Sequence, residues 1–122
     1  MANPSTGFGG AGTEVLRRGY VDEMTNAEAT LLTGVANHIY TVLSIVFVNL
    51  ASSTDETFHI YIDADNAGTN IYLLNSQPLN AKSTFIFTDR FVLTETDRLH
   101  ASTASATSNV DVWVTYIDQQ LA

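Results

Sequence analysis

The chain has 122 residues, 45% hydrophobic and 15% charged, with a formal net charge of −8 and no cysteine. That length suits one domain, which buries about two-thirds of its unfolded surface and needs no staple. The composition excludes disulfides and cysteine-based zinc or iron–sulfur centres, and the acidic balance argues against binding a phosphate backbone.

Residues 1–12 carry four glycines and no hydrophobic period, which reads as a flexible arm. Gly7, Gly9 and Gly12 match G-x-G-x-x-G, but no strand precedes them, so the pyrophosphate-binding context is missing. No basic start leads into an apolar run, so no secretory signal is expected. "TEVLRRGYV", Thr13 to Val21, is a weak first strand with no cleanly apolar face, a segment expected to order against a neighbour. Arg17 and Arg18 are its only basic cluster, too small for a nucleic-acid footprint. "DEMTNAEAT" reads as a loop, because Thr25-Asn26 is turn-like, and it leads into a strand at Ala29 to Thr33. This divides the chain into an arm and lead-in, residues 1–28, and a folded domain, residues 29–122.

From Ile39 the alternation sharpens. "IYTVLSIVFVN" places Leu43, Ile45 and Phe47 on one face and Val42, Ser44, Val46 and Val48 on the other; both are largely apolar, as in a strand covered on two sides. Its core "VLSIVFVNL" is too short to cross a bilayer as a helix, which takes about 20 residues. "TFHIYID" turns Phe58, Ile60 and Ile62 inward, and "NIYLL" follows a turn. "STFIFTD" pairs Phe85 with Phe87, and "DRLHASTAS" points Leu99 and Ala101 inward. "VDVWVTYID" directs Val110, Val112, Val114 and Tyr116 inward and Asp111, Trp113 and Thr115 outward. Seven or eight short strands, separated by "ASSTDE", "DNAGTN", "SQPLNAKS" and "ATSN", predict an all-β, antiparallel β-sandwich, jelly-roll or immunoglobulin-like, with an extended N-terminal arm.

No motif carries catalysis. From Asp63, the calcium-loop template finds Asp65 and Gly68 in place but meets Ala67 and Leu74 where oxygen ligands are required, so the stretch reads as a hairpin. His38, His59 and His100 lack metal-ligand spacing, and no G-x-S-x-G elbow exists. Asp22-Glu23 and Asp55-Glu56 sit in polar loops, where a carboxyl group is not desolvated for acid–base work. No enzyme activity, cofactor or metal is expected. Trp113 faces away from the expected core, which predicts that the second face of its sheet is covered by the arm or by another subunit.

"TLLTGVANHIYTVLSIVFVNLASSTDETFHIYID" resembles the opening of small β-sandwich virion proteins of tailed bacteriophages: Thr33, Val35, Ala36 and Asn37 match its first element, and Asn49 with "ASSTDE" its turn. "LLNSQPLNAKSTFIFTDRFVLTETDRLHAST" and "VDVWVTYID" resemble the next section and closing strand, so the likeness spans about Thr30 to Asp118. Gly34-Val35 departs from the family's Val-Pro. The resemblance implies a virion structural protein. The leading expectation is a capsid decoration (cement) protein, often trimeric, on the outer shell surface, assembled in the host cytoplasm with the major capsid protein as partner. The alternative is a tail-fibre or baseplate module contacting host glycan through Tyr61, Tyr72 and Trp113. For the cement role the expected contact residues are Phe8, Leu16, Arg17, Arg18 and Tyr20, large groups on a segment without its own core, together with Trp113.

Overall fold

The structure, a computed structural model, describes residues 12–121. Among these, nine strands follow one another: β1 (Gly12–Val21), β2 (Ala29–Thr33), β3 (His38–Asn49), β4 (Glu56–Asp63), β5 (Asn70–Leu79), β6 (Thr84–Phe87), β7 (Phe91–Thr94), β8 (Arg98–Thr103) and β9 (Val110–Leu121). All pair antiparallel. One sheet runs β1-β9-β3-β6, with β7 also on β3, and the other runs β2-β8-β4-β5. Taking β6 and β7 as two halves of one broken strand, this is the order of a jelly roll. The immunoglobulin-like alternative is thereby set aside in favour of the jelly roll.

The core lies between the sheets. Phe47 of β3 stacks on Phe58 of β4 with ring centroids 4.0 Å apart, and Phe85 meets Phe58 edge-on at 5.5 Å. Ile45, Ile60, Leu99, Val110 and Val114 complete this layer and are fully buried. The parity expected for β4, β6, β8 and β9 holds.

Three local readings need correction. In β3 the register shifts between Val42 and Ser44. This bulge brings Val42 onto the core side with Ile45 and Phe47 and leaves Leu43 only partly buried. In β5 the strand does not stop before "SQP" but continues to Leu79, through a bulge near Ser76, whose φ is +54°. Finally, Phe91–Thr94 is a strand of its own, split from β6 by the irregular residues 88–90.

Strand β1 runs its whole length against β9, from Gly12 opposite Leu121 to Val21 opposite Val112. It is thus an edge strand of the sandwich, ordered by its own chain. At Gly19 it passes so close to β2 that a Cβ would sit 2.5 Å from the Leu31 carbonyl oxygen. Gly34 packs its backbone against the Glu95 and Asp97 carbonyls, and its N–H donates to Asp97 O. The β4–β5 connection is the expected hairpin. Asp65, Asn66 and Gly68 take φ of +58°, +52° and +83° there. The Asp63 carboxylate accepts the Gly68 N–H at 2.8 Å, so it serves the turn. No group of three or more His, Asp or Glu among the described residues is arranged to hold a metal ion.

Candidate functional site

In the five-stranded sheet, the face turned from the core is unusually apolar. Because side chains alternate along a strand, pairing Tyr20 with Trp113, and Trp113 with Val46, puts all three on this outer face. Val46 in turn pairs with Ile86, and Thr41 with Val92 on the same side. Leu16, Tyr20, Ile86, Val92 and Trp113 are 68%, 58%, 58%, 56% and 46% exposed. Isolated exposed apolar residues are ordinary, but a contiguous set on one face marks an interaction surface.

The centre of the face is an aromatic pair. Tyr20 and Trp113 stack with centroids 5.6 Å apart and planes 17° from parallel. The Arg18 guanidinium carbon lies 5.4 Å from the Tyr20 ring centre and 5.3 Å from that of Trp113, within cation–π range. Beside the pair a shallow pocket of about 340 Å³ is lined by Tyr20, Val46, Val48 and Trp113, with Asp22 and Asp111 at one end. The hydrogen bond from Asp22 to the Asp111 carboxylate, and that carboxylate's charge, push the Asp22 carboxyl above its ordinary value.

The residues singled out as contacts divide. Leu16, Arg18, Tyr20 and Trp113 share the outer face. Arg17, one residue from Arg18, points to the opposite side, where its Nε donates to Asp118 Oδ2 at 2.8 Å. His38 Nδ1 lies 2.6 Å from the other oxygen of the same buried carboxylate. Arg17 thus fastens β1 to β9. Phe8 lies outside the described residues.

The second sheet carries a different, more polar surface. Tyr61 stacks obliquely on Tyr72 at 5.0 Å and lies 5.6 Å from the His100 ring. Thr30 Oγ1 is 3.1 Å from His100 Nδ1, and Glu28 lies 3.7 Å from Nε2. Burial, reinforced by the hydrogen bond to Glu28, pushes the Tyr61 phenol up to about 12. Tyr61 and Tyr72 therefore lie on one side of the sandwich and Trp113 on the other; the three rings do not form a common sugar platform.

Sequence reasoning missed Asn49 as a structural residue. Fully buried, it donates from Nδ2 to the Thr54 and Leu79 carbonyls and accepts the Ala51 N–H, closing the β3–β4 loop. The signal was an Asn ending an apolar strand beside a Ser/Thr-rich turn.

No protein-family model and no curated protein matches the chain. Among solved structures, it is similar to a chain of the Bacillus endospore appendages, described as a family of disulfide-linked pili, at 14% identity with a TM-score of 0.56, covering 100% of this chain and 96% of that one. It is also similar to a chain of the acid-stable capsid of Helicobacter pylori bacteriophage KHP30, at 12% identity with a TM-score of 0.54, covering 89% of each. At such identities the likeness is one of fold. It extends over nearly the whole of both chains, which agrees with the jelly-roll strand order.

Proposed function

We propose that the chain is a bacteriophage virion structural protein, a decoration protein that cements the shell built by the major capsid protein. The observation that carries this reading is the outer face of the five-stranded sheet, with the Tyr20–Trp113 stack at its centre. A solvent-exposed face of this kind needs a partner, and stacked Tyr and Trp beside an Arg have the composition of binding hot spots. Jelly rolls recur in capsid proteins, and one of the similar folds comes from a phage capsid. The disulfide linkage named for the pilus family is not available to a chain without cysteine. In this reading the protein sits on the outer surface, where a net charge of −8 is kept away from packaged nucleic acid, and it is trimeric; residues 1–11, the expected arm, lie outside the described residues.

The test is add-back. Shells lacking the protein are incubated with it, and their resistance to heat is compared with untreated shells. Saturable binding and a higher disruption temperature are expected; no binding overturns the proposal. The arm is tested separately by deleting residues 2–11, because a longer deletion removes β1 and exposes the edge of β9. The tail-fibre alternative predicts glycan binding lost on Tyr72→Ala, since Tyr72 is half exposed beside Tyr61.

A further inference from the structure

A second pocket opens at the end of the sandwich where the β3–β4 and β8–β9 loops converge. It has a volume of about 330 Å³ and is lined by Glu23, Asn49, Thr54, Glu56, Ser105 and Asn109 among others. Its lining is polar, unlike the groove beside Trp113. Glu56 lines it and is itself only 7% exposed. Its carboxylate accepts a hydrogen bond from the Thr57 N–H at 3.0 Å, and it forms no ion pair among the described residues. A buried carboxylate with so little compensation is costly unless a cation or further donors reach it.

Three considerations define the complement. The described residues offer no set of three acidic or histidine side chains for a metal, whereas calcium takes 6–8 oxygens at about 2.3–2.6 Å. Thr54, Ser105 and Asn109, which carry hydroxyl and amide side chains, line the same pocket as Glu56, a lining that suits a group with several donors. The neighbourhood is also negative: the Glu23 N–H donates to Asp111 Oδ1, which ties this pocket to the Asp22 and Asp111 end of the apolar groove. The pocket is lined by Glu23 and Glu56 on a chain with 5 Lys and Arg against 13 Asp and Glu, so its charge complement is a basic surface on a different protein.

We propose that this pocket is a socket for a guanidinium group, an arginine side chain of a basic partner protein that docks beside the Tyr20–Trp113 pair. The planar fork of five N–H donors pairs two-fold with the Glu56 carboxylate and spends its remaining donors on the rim. This deepens the docking proposal above by naming the chemistry of the docked surface. Its test needs no shell, so the two can fail separately.

The probe is N-acetyl-arginine methylamide, titrated into the isotope-labelled full chain while amide resonances are followed by NMR. Saturable shifts are expected at Thr57, Ser105 and Asn109. The citrulline analogue, which has the same shape without the charge, is expected to bind at least about tenfold more weakly, as is the arginine probe to Glu56→Gln. Equal binding of arginine and citrulline analogues overturns the proposal, as do unsaturable shifts or the same shifts produced by calcium chloride alone. The citrulline comparison uses the unaltered chain, so it decides the matter even where Glu56→Gln fails to fold.

Discussion

Truncating the stacked pair is the sharpest perturbation of the outer face. Tyr20 and Trp113 are 58% and 46% exposed in the free chain. Aromatic side chains of this size present about 150–250 Å², so each offers a partner about 100 Å². At about 25 cal/mol per Å² this corresponds to about 2.5 kcal/mol for each ring, an upper limit because ordering and desolvation costs offset part of it. Trp113→Ala and Tyr20→Ala are each expected to weaken shell binding by at least about tenfold, and the double variant by at least about a hundredfold. Folding also suffers, because the buried half of each ring, about 100 Å², is lost together with the stacking and cation–π contacts, about 2–3 kcal/mol for each variant, so affinity is compared for the folded fraction of each variant. The assay is co-sedimentation with shells over a concentration series, with thermal unfolding of the free variants as control. Unchanged affinity in the double variant refutes the assignment of this face. Lost affinity that merely tracks lost stability refutes the separation of docking from folding.

Other predictions concern the framework. Gly19→Ala drives a methyl group into the Leu31 carbonyl and should destabilise the chain by about 1–3 kcal/mol, read as a lower midpoint in urea. Asp118→Ala removes the acceptor shared by Arg17 and His38; a loss of about 1–3 kcal/mol is expected, with faster hydrogen exchange along β1. The Tyr61 phenol ordinarily ionises near 10.0 and is pushed up to about 12 in the fold. The unfolded chain therefore loses this proton first as pH rises. The stabilisation is whole below pH 10 and disappears as pH climbs through about 12, a loss of about 2–3 kcal/mol. Denaturant titrations at several alkaline pH values should show this slope, reduced in Tyr61→Phe; an identical slope in that variant contradicts the assignment.

Much of the sandwich was legible because strand alternation is a local property. Phe58, Ile60 and Ile62, or Val110, Val112 and Val114, declare their buried face without knowledge of a partner. The hairpin at Asp63 was equally local, since Asp65, Asn66 and Gly68 are residues that accept positive φ. The bulge after Val42 was not legible, because a shift in register is a relation between two strands. Strand β1 was legible as a weak strand at Thr13 to Val21, but not its place: its mixed faces make sense only beside β9, where Arg17 finds Asp118 and Tyr20 finds Trp113. Parity alone separates Arg17 from Arg18 onto opposite faces, a signal present in the sequence and not used. The Glu56 pocket was hidden further still, since an acid in a polar stretch becomes buried only when loops distant in sequence close around it.

The most direct test of the central claim is a difference map by electron cryomicroscopy between shells with and without the protein. The account predicts density for a jelly roll on the outer surface, with the sheet face that carries Tyr20 and Trp113 turned toward its neighbours. Shells without such density, or a docked sandwich with Trp113 facing solvent, would contradict it.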